Sequence, residues 1–268
     1  MSAHAAPGEP IVVVEDLTTG YDGVAITTGV SFAVRRGEVF GILGGSGSGK
    51  STLLKHMIGL LPPIAGRVLV DGADLTHAQG KTRRAILRGI GVMYQQGALF
   101  GSMTLAENVE LPLSEHSDLA SYARNRVALT KLHAVGLAGY EDYYPDEISG
   151  GMRKRAAIAR AMALDPRVLF LDEPSAGLDP VTSQDLDKLI LRLSNVLGIT
   201  FVIVTHELAS IMAVVDRAIM LDKETRGILA TGTPADLRAR TDIPFLRRFF
   251  ARAEPESPPA PAAPQSPA

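Results

Sequence analysis

The stretch Gly44–Ser51 constrains this chain more than any other feature, because it fits the pattern G-x-x-x-x-G-K-[ST]. It lies between an apolar run that ends at Leu43 and a segment with helical spacing, Ser51–Gly59. Glycines let successive backbone N–H groups converge on phosphate oxygens, and a helix N-terminus adds about half a positive charge. We therefore predict a phosphate-binding loop rather than a plain glycine-rich turn. The predicted contacts are Gly44, Gly45, Ser46, Gly47, Ser48, Gly49, Lys50, Ser51 and Thr52.

Two carboxylates follow another apolar run, Val168–Leu171, and complete the predicted site. In a nucleotide phosphate loop, the lysine (here Lys50) reaches the β- and γ-phosphates and the serine hydroxyl (here Ser51) binds Mg²⁺. Asp172 is predicted to hold that ion directly or through water. Glu173 stands next, where it can orient or deprotonate a water that attacks the γ-phosphate. An acidic pair after a strand also suits a helix cap or a solvated loop, but the phosphate loop favours the functional interpretation.

Short β-branched runs alternate with segments of helical spacing, and this pattern predicts an α/β fold with a mostly parallel sheet. Several runs are apolar on both faces, as buried parallel strands are. From about 96 to 166 the pattern is helical, which predicts a helical subdomain inserted in the core. The predicted strands are Ile11–Leu17, Val30–Val34, Glu38–Leu43, Arg67–Val70, Ile90–Tyr94, Val168–Asp172, Thr200–Thr205 and Ala218–Leu221, and the further predicted helices are Ser121–Val135, Met152–Leu164 and Thr182–Leu197.

Composition excludes several classes of protein. The chain has no cysteine, which removes disulfides, thiol catalysis and cysteine-ligated metal sites. Its 27 basic and 29 acidic residues argue against a protein that coats nucleic acid, so no nucleic-acid partner is predicted. The apolar runs are far shorter than the roughly 18 residues of a spanning helix. Residues 1–10 lack the pattern of a signal peptide, so we expect the protein to stay in the compartment where it is made.

A Ser-Gly-Gly sequence within Ile148–Met152 opens a predicted helix. Ser149 can cap that helix, and Gly150 and Gly151 expose N–H groups at the positive end of its dipole, which makes a second anion site. The sequence resembles the signature motif of ATP-binding-cassette (ABC) ATPases, usually L-S-G-G-Q, with Met152 in place of the glutamine. In isolation it would suit a plain helix start, but the phosphate loop and the acidic pair favour the signature.

Further positions follow the order of the ABC pattern, and their roles are what the resemblance implies. Tyr21 stands where the family carries an aromatic residue that stacks on adenine, although a lone tyrosine also suits packing. Gln95 follows an aromatic residue and resembles the glutamine that senses Mg²⁺, with its neighbour Gln96 as the alternative. Asp179 ends a match to the D-loop of the family. His206 matches the switch histidine that contacts the γ-phosphate.

The resemblance implies a P-loop NTPase of the ABC ATPase fold, with a mostly parallel core sheet, an N-terminal antiparallel β subdomain and the inserted helical subdomain. It places the ABC ATPase domain at 11–242. In this family the phosphate loop of one copy and the signature of a second copy close over each nucleotide, so an ATP-sandwich dimer is the implied working unit. ATP and Mg²⁺ are the implied cofactors, with catalysis assigned to Glu173, His206 and Lys50 and the metal to Ser51, Gln95 and Asp172.

Three stretches resemble the ATPases of Mla/Mce lipid-transport systems, namely Gln95–Phe100, Glu107–Leu113 and Ser149–Arg155. This likeness implies an ATPase that powers the transport of lipid, specifically phospholipid, across or between bacterial envelope membranes. The implied partners are a membrane permease, an Mce-domain substrate-binding protein and a small accessory subunit, with the chain on the cytoplasmic face of the inner membrane. The alternatives are a cassette for polar solutes such as amino acids, a non-transport ABC ATPase, and a small-molecule kinase, which has no use for a signature. The run Arg153–Arg155 also suits a solvated helix face.

The segment Gly97–Leu113 is predicted to form much of the groove that receives the permease, because in this family the region faces the membrane subunit. Leu99 and Phe100 are its large apolar residues near the start. We expect substitution of either residue to uncouple transport while the isolated subunit still binds ATP.

The C-terminal part of the chain contains two different kinds of sequence. The segment 243–253 is amphipathic, and its aromatic and aliphatic side chains stand at helical spacing. The favoured interpretation is a helix packed on its own core, and docking to another subunit or to a lipid surface is the alternative. Residues 254–268 are almost entirely Pro, Ala, Ser and Glu, which predicts a disordered tail.

Overall fold

The computed structural model describes residues 8–251. Its strands are β1 (Pro10–Tyr21), β2 (Val24–Arg35), β3 (Val39–Gly44), β4 (Ala65–Val70), β5 (Ala73–Asp74), β6 (Ile90–Met93), β7 (Val168–Asp172), β8 (Thr200–Val204), β9 (Arg217–Asp222) and β10 (Gly227–Gly232). Its helices are α1 (Lys50–Met57), α2 (Gly80–Arg88), α3 (Leu105–His116), α4 (Ser121–Ala134), α5 (Gly150–Ala161), α6 (Pro180–Leu197), α7 (Leu208–Val214), α8 (Pro234–Ala239) and α9 (Pro244–Ala251), with a short 3₁₀ helix at Pro145–Glu147.

A six-stranded sheet forms the centre of the molecule, in the order β10-β9-β3-β8-β7-β6. The neighbouring pairs from β9 to β6 are parallel, and β10 runs antiparallel to β9. Every residue of β3 and of β8 is buried, because both faces of the sheet are covered. The prediction of a mostly parallel α/β core is therefore confirmed.

Two layers of apolar side chains cover this sheet, one on each face. One layer joins Phe40 and Ile42 of β3 to Leu53, Leu54 and Met57 of α1, and it extends to the N-terminal sheet. The other layer contains side chains of α3, α4, α5, α6, α7 and α9. Because side chains pack on both faces of β3, the position of the first residue of the loop that follows β3 is fixed.

The N-terminal sheet is antiparallel and has the order β2-β1-β4-β5. Val12 of β1 faces Val34 of β2 and Val70 of β4, and all three side chains are buried. The hydroxyl groups of Thr19 and Thr27 are also buried and form a hydrogen bond with each other at 2.7 Å. This sheet confirms the predicted N-terminal antiparallel β subdomain.

Between β6 and β7 the described chain is helical, since α3, α4, the 3₁₀ helix and α5 follow one another. Thr104 begins α3 with a capping box, in which its hydroxyl accepts from the N–H of Glu107 and the Glu107 carboxylate accepts from the N–H of Thr104. This agrees with the inserted helical subdomain of the predicted fold. The boundaries at 96, 166 and 242 stay predictions.

Some elements differ from the sequence predictions. β2 begins at Val24 rather than at Val30, because its first half also pairs with β1 although it contains two threonines and a glycine. No helix is predicted at α2, whose residues are mostly polar and of which Ile86 is the buried member. The last two residues of the predicted segment 243–253 and the predicted disordered tail, 254–268, lie outside the described residues.

Within residues 8–251, no helix combines the length and the apolar character that a membrane span requires.

Candidate functional site

The phosphate loop runs from the end of β3 to the first turn of α1. Gly49 stands immediately before α1 with φ +93°, and a Cβ there would lie 2.6 Å from Cγ2 of Thr27, so this position requires glycine. The carbonyl of Gly49 accepts from the N–H of Leu53 at 2.8 Å, which closes the first helical turn. The first N–H groups of a helix have no intrahelical acceptor. In α1 these groups lie next to the phosphate loop, where an anion can bind them.

The ammonium group of Lys50 is held inside this loop. The residue is 9% exposed, and its Nζ donates to the carbonyl oxygens of Gly44 at 2.9 Å and Gly45 at 3.0 Å. Burial lowers the pKa of Lys50, while the charges of Glu173 and Asp172 act in the opposite direction. A buried cation held by neutral carbonyls is stabilised by an anion placed beside it, so the loop is electrostatically suited to a phosphate group.

Ser51 and Asp172 bring two oxygen ligands together from α1 and from the end of β7. The Oγ of Ser51 lies 3.5 Å from Oδ1 of Asp172. Burial, followed by the charge of Glu173, raises the pKa of Asp172, and a bound cation would relieve both effects. Mg²⁺ is held by one or two protein oxygens together with water and phosphate oxygens, so this pair of residues fits the ion.

Glu173 and His206 form a pair at the carboxyl ends of neighbouring strands. The Nδ1 of His206 lies 2.7 Å from Oε1 of Glu173. An ionised carboxylate can only accept, so Nδ1 carries the hydrogen of this bond. Glu173 also donates its N–H to the carbonyl of Val204 at 2.8 Å, which fixes its backbone to the end of β8.

A cleft of about 780 Å³ lies between the phosphate loop and the carboxyl ends of the central strands. In open α/β sheets, ligands bind at this end of the strands. The cleft brings together nine of the predicted site residues, which are Gly44, Gly45, Ser46, Gly47, Lys50, Ser51, Gln95, Glu173 and His206.

Tyr21, predicted to stack on adenine, lies at the end of β1 and is 42% exposed. Its hydroxyl lies 3.3 Å from Nζ of Lys55, and hydrogen bonds to Thr52 and Lys55 lower the pKa of Tyr21. Thr52 directly follows Ser51, so Tyr21 lies beside the helix that the phosphate loop begins. It is not among the described residues that line the cleft, and its stacking role stays a prediction.

The predicted signature begins α5. The Oγ of Ser149 accepts from the N–H of Met152 at 3.3 Å, as an N-cap does. A Cβ on Gly151 would lie 2.3 Å from Cγ2 of Thr182, so this glycine permits the close contact between α5 and α6. Neither Ser149, Gly150 nor Gly151 belongs to the described lining of the cleft. Within one chain, the signature and the phosphate loop are therefore separate sites.

Asp179 caps α6. Its Oδ1 accepts from the N–H groups of Val181 and Thr182, each at 3.0 Å, and the Thr182 hydroxyl donates to its Oδ2 at 2.5 Å. Hydrogen bonds to Thr182 are the main reason that the pKa of Asp179 is lowered. The carboxylate thus starts the helix that packs on Gly151, and its predicted contact with nucleotide stays a prediction.

Other residues line the cleft although no motif points to them, namely Leu208, Ala209, Met212 and Phe249. The first three follow His206 in α7. Phe249 comes from α9, and ring atoms of Phe245, one turn earlier, lie 3.5 and 3.6 Å from the position that a Cβ on Gly45 would take. The spacing of the apolar residues in 243–253 predicts a buried face, but it cannot identify the surface that this face covers.

Comparison with known proteins agrees with this geometry. Residues 27–176 match the family described as ABC transporter. The chain is 40% identical over 239 residues to the probable ribonucleotide transport ATP-binding protein mkl of Mycobacterium leprae (strain TN), a match that covers 89% of this chain and 68% of the relative. It is 37% identical over 241 residues to the intermembrane phospholipid transport system ATP-binding protein MlaF of Escherichia coli (strain K12), covering 90% of this chain and 88% of the relative.

Solved structures of other proteins share this fold. The dimeric ATP-binding cassette MJ0796 bound to ADP and Pi superposes with a TM-score of 0.74 at 30% identity, covering 83% of this chain and 98% of that one. The protein cbiO1 of Clostridium perfringens, part of the cbiONQ transporter complex, superposes with a TM-score of 0.78 at 30% identity, covering 91% and 96%.

Proposed function

The chain belongs to the ABC transporter family, and we propose that its ATPase activity powers the transport of phospholipid across or between bacterial envelope membranes through a separate permease. The catalytic part of this proposal is supported by the cleft, because residues of the phosphate loop line it together with Glu173 and His206. The lipid part is supported by the relatives whose name states intermembrane phospholipid transport and which match 90% of this chain.

In the proposed reaction, the phosphates of ATP replace the carbonyl partners of Lys50. Its Nζ then binds oxygens of the β- and γ-phosphates, where its charge offsets the charge that develops during transfer. Ser51 and Asp172 would hold Mg²⁺, with Gln95 as the further predicted ligand. When bound, the ion would neutralise part of the negative charge of the phosphates.

Glu173 orients the attacking water and accepts its proton at the carboxylate. The oxygen of that water forms a bond to the γ-phosphorus, and the bond from this phosphorus to the β-phosphate oxygen breaks, so ADP and inorganic phosphate are the products. His206 is bound to Glu173 through Nδ1, and its side chain is 66% exposed. This leaves Nε2 available to the γ-phosphate.

A second copy of the chain is proposed to complete each site. Ser149, Gly150 and Gly151 start α5 outside the cleft of their own chain, and helix N-termini of this kind bind anions. A second copy facing the first would place this N-terminus over the phosphate loop. The dimeric form of the similar cassette MJ0796 supports this arrangement.

The permease is proposed to dock beside the loop that follows β6. Phe100 is 50% exposed there, and the side chain of Asn108 binds its N–H at 2.8 Å and its carbonyl at 3.1 Å. Leu99 packs partly on the core instead. A neighbouring cavity of about 270 Å³ is lined by apolar residues such as Leu87 and Pro112 together with Arg84, Arg88 and Arg160, which suits an apolar segment that carries carboxylates.

The complex is proposed to lie at the cytoplasmic face of the inner membrane. The chain attaches there through its permease, and an Mce-domain protein and a small accessory subunit complete the assembly. Ribonucleotide is the alternative cargo, because a relative at 40% identity is named for ribonucleotide transport.

Purification of the complex from native membranes tests this function. We expect a permease and an Mce-domain protein to accompany the chain, and mass spectrometry of extracts to show enriched phospholipid. The complex with Glu173→Gln is the control, since it should retain lipid when ATP is added while the natural complex releases it. Enrichment of nucleotides without lipid would assign the other cargo, and purification without any membrane protein would contradict a transporter subunit.

A further inference from the structure

A buried lysine outside the assigned motifs lies between the proposed catalytic carboxylate and the loop after β6, residues 95–98. Lys154, in α5, is 8% exposed. Its ammonium group donates to the backbone carbonyl of Gln95 and, at 3.4 Å, to that of Glu173. One side chain therefore connects α5, the loop 95–98 and the residue that follows β7.

The surroundings of Lys154 hold its ammonium group in one place. Burial lowers the pKa of Lys154, and the charges of Asp172 and Glu173 act in the opposite direction. A cation taken out of water needs hydrogen-bond acceptors to replace its hydration. Here the acceptors are two main-chain carbonyls, so the position of the ammonium group and the positions of both peptide groups depend on one another.

The backbone of Glu173 needs such support. Its φ of +47° lies in the left-handed region, which residues other than glycine rarely adopt and which persists where surrounding contacts determine it. Its N–H donates to the carbonyl of Val204, and its own carbonyl accepts from Lys154 at 3.4 Å and from the N–H of Ala176 at 3.2 Å. This conformation sets the direction in which the side chain leaves the main chain, and that direction brings Oε1 to His206.

The loop 95–98 is attached to the same helix at further points. Arg160, in α5, donates to the carbonyls of Gly97 at 2.9 Å and Ala98 at 2.6 Å. A Cβ on Gly97 would lie 3.4 Å from Cβ of Ala157, so the loop also packs directly on α5. The loop and α5 thus form one connected unit, and Lys154 is the side chain of that unit that also reaches Glu173.

We propose that Lys154 is a positioning residue for ATP hydrolysis, which aims the carboxylate of Glu173 by binding its backbone carbonyl together with that of Gln95. This inference rests on the proposed role of Glu173. The contact also couples α5 to Glu173. A shift of this helix would move the ammonium group, and with it the peptide group of Glu173 and the carboxylate that orients the attacking water.

Steady-state kinetics of three variants test the proposal in the full chain. Lys154→Met removes the N–H donors of the side chain and keeps its length similar, whereas Lys154→Arg keeps N–H donors. Lys131→Met, in α4, is the matched control. Lys131 is also largely buried, with 13% side-chain exposure, and it pairs with Asp165 away from the cleft. We expect Lys154→Met to lower kcat on the order of 10- to 100-fold, because misplaced reacting groups cost factors of this size, while KM and ATP affinity change less than about 2-fold. Lys154→Arg should recover most of kcat, and Lys131→Met should keep it.

A double variant separates positioning from a merely structural role. If Lys154 acts through Glu173, then adding Lys154→Met to Glu173→Gln should lower the residual turnover by less than about 2-fold, since coupled residues are not additive. An equal fold-loss in both backgrounds, or a loss of ATP affinity that matches the loss of kcat, would overturn the proposal. If Lys154→Met does not fold, Lys154→Gln, which keeps one donor group, takes its place in the same cycle. Undiminished turnover in Glu173→Gln alone would instead refute the proposed role of Glu173.

Discussion

The Nδ1 of His206 lies 2.7 Å from Oε1 of Glu173, although the two residues follow different strands. β7 and β8 are parallel neighbours, with Asp172 opposite Val204 at their ends. The residue after one strand therefore meets the chain just beyond the other. The Glu173 side chain is 11% exposed and that of His206 is 66% exposed, so the pair extends from the interior to the open cleft.

The substitution Glu173→Gln is expected to separate nucleotide binding from hydrolysis. The amide keeps the size and the contact with His206 but cannot accept a proton, so phosphate release should fall by about 100-fold or more. ATP affinity should change little, and gel filtration with ATP should show a persistent dimer. Glu207→Gln is the control for the loss of one charge near the cleft, and turnover at the natural rate in Glu173→Gln would exclude this carboxylate as the base.

Lys50→Met is expected to weaken ATP binding by at least about 10-fold, because it removes the charge that lies within the loop. The apolar side chain has similar length and leaves the packing around the loop largely intact. Equilibrium titration with a fluorescent ATP analogue measures the effect. Lys188→Met, an exposed lysine in α6 that pairs with Asp185, should bind as the natural protein does. Equal affinities in the two variants would contradict the predicted phosphate contact.

Phe100→Arg is expected to uncouple the complex. Phe100 is half exposed in the loop proposed to receive the permease, so a charged side chain there should weaken an apolar contact with the docking segment without disturbing the nucleotide cleft. Lipid transfer in reconstituted vesicles should fall several-fold, while the isolated subunit keeps its ATP affinity. Tyr122→Arg, at an exposed position of α4, serves as the control. Normal assembly and transfer in Phe100→Arg would place the permease groove elsewhere.

Phe249→Ala is expected to affect both stability and nucleotide binding. The ring is 8% exposed, packs edge-on against Phe250 and lines the cleft. Its removal should lower the free energy of unfolding by about 3 kcal/mol and weaken ATP binding, because the cleft wall recedes. Urea denaturation and nucleotide titration measure the two effects, with exposed Val196→Ala as the control. If stability falls while ATP affinity does not change, α9 contributes to the packing of the core and not to nucleotide binding.

Truncation after Thr241 removes α9 and tests the alternative role of this helix. If α9 packs on its own core, the shortened chain should unfold at lower urea concentration and still form the dimer and attach to its permease. Loss of dimerisation or of membrane attachment in a chain that remains folded would favour the docking interpretation.

Asp187 should make the protein less stable as pH rises. Burial raises its pKa to about 6, and the charge of Glu207 adds to this effect. A carboxyl group whose pKa is higher in the folded than in the unfolded state binds its proton more strongly when folded, so stability falls between pH 4 and 6 and stays reduced above that range. Relative to the natural protein, Asp187→Asn should become more stable by about 1–3 kcal/mol between pH 4 and pH 7.5. Urea denaturation at both values measures this, and Asp185→Asn, exposed on the same helix, should show no such change.

The phosphate loop, the acidic pair and the signature could be predicted from the sequence because each depends on local order. Gly49 needs a left-handed conformation at a helix start, and Ser149 caps the helix that follows it, so a few adjacent residues define each site. The parallel core could also be predicted, because strands buried on both faces leave continuous apolar runs such as β3 and β8.

The roles of Lys154 and Phe249 could not be predicted, because both depend on contacts between distant parts of the chain. Lys154 lies in a basic run that suits a solvated helix face, and that interpretation is wrong for this residue, which is buried. Its acceptors are main-chain carbonyls, which every residue possesses and which leave no pattern in the sequence. The aromatic spacing of α9 likewise indicates a buried face but not the cleft beside which it lies.

The approach of Phe245 to the phosphate loop gives the protein a place for a spectroscopic reporter. Its ring atoms lie 3.5 and 3.6 Å from the position that a Cβ on Gly45 would take, while Arg248 on the same helix is exposed. Because the natural sequence has no cysteine, a single Arg248→Cys substitution would provide the only thiol for a fluorophore or spin label. Movements of the loop on nucleotide binding could then be followed from a position outside the cleft.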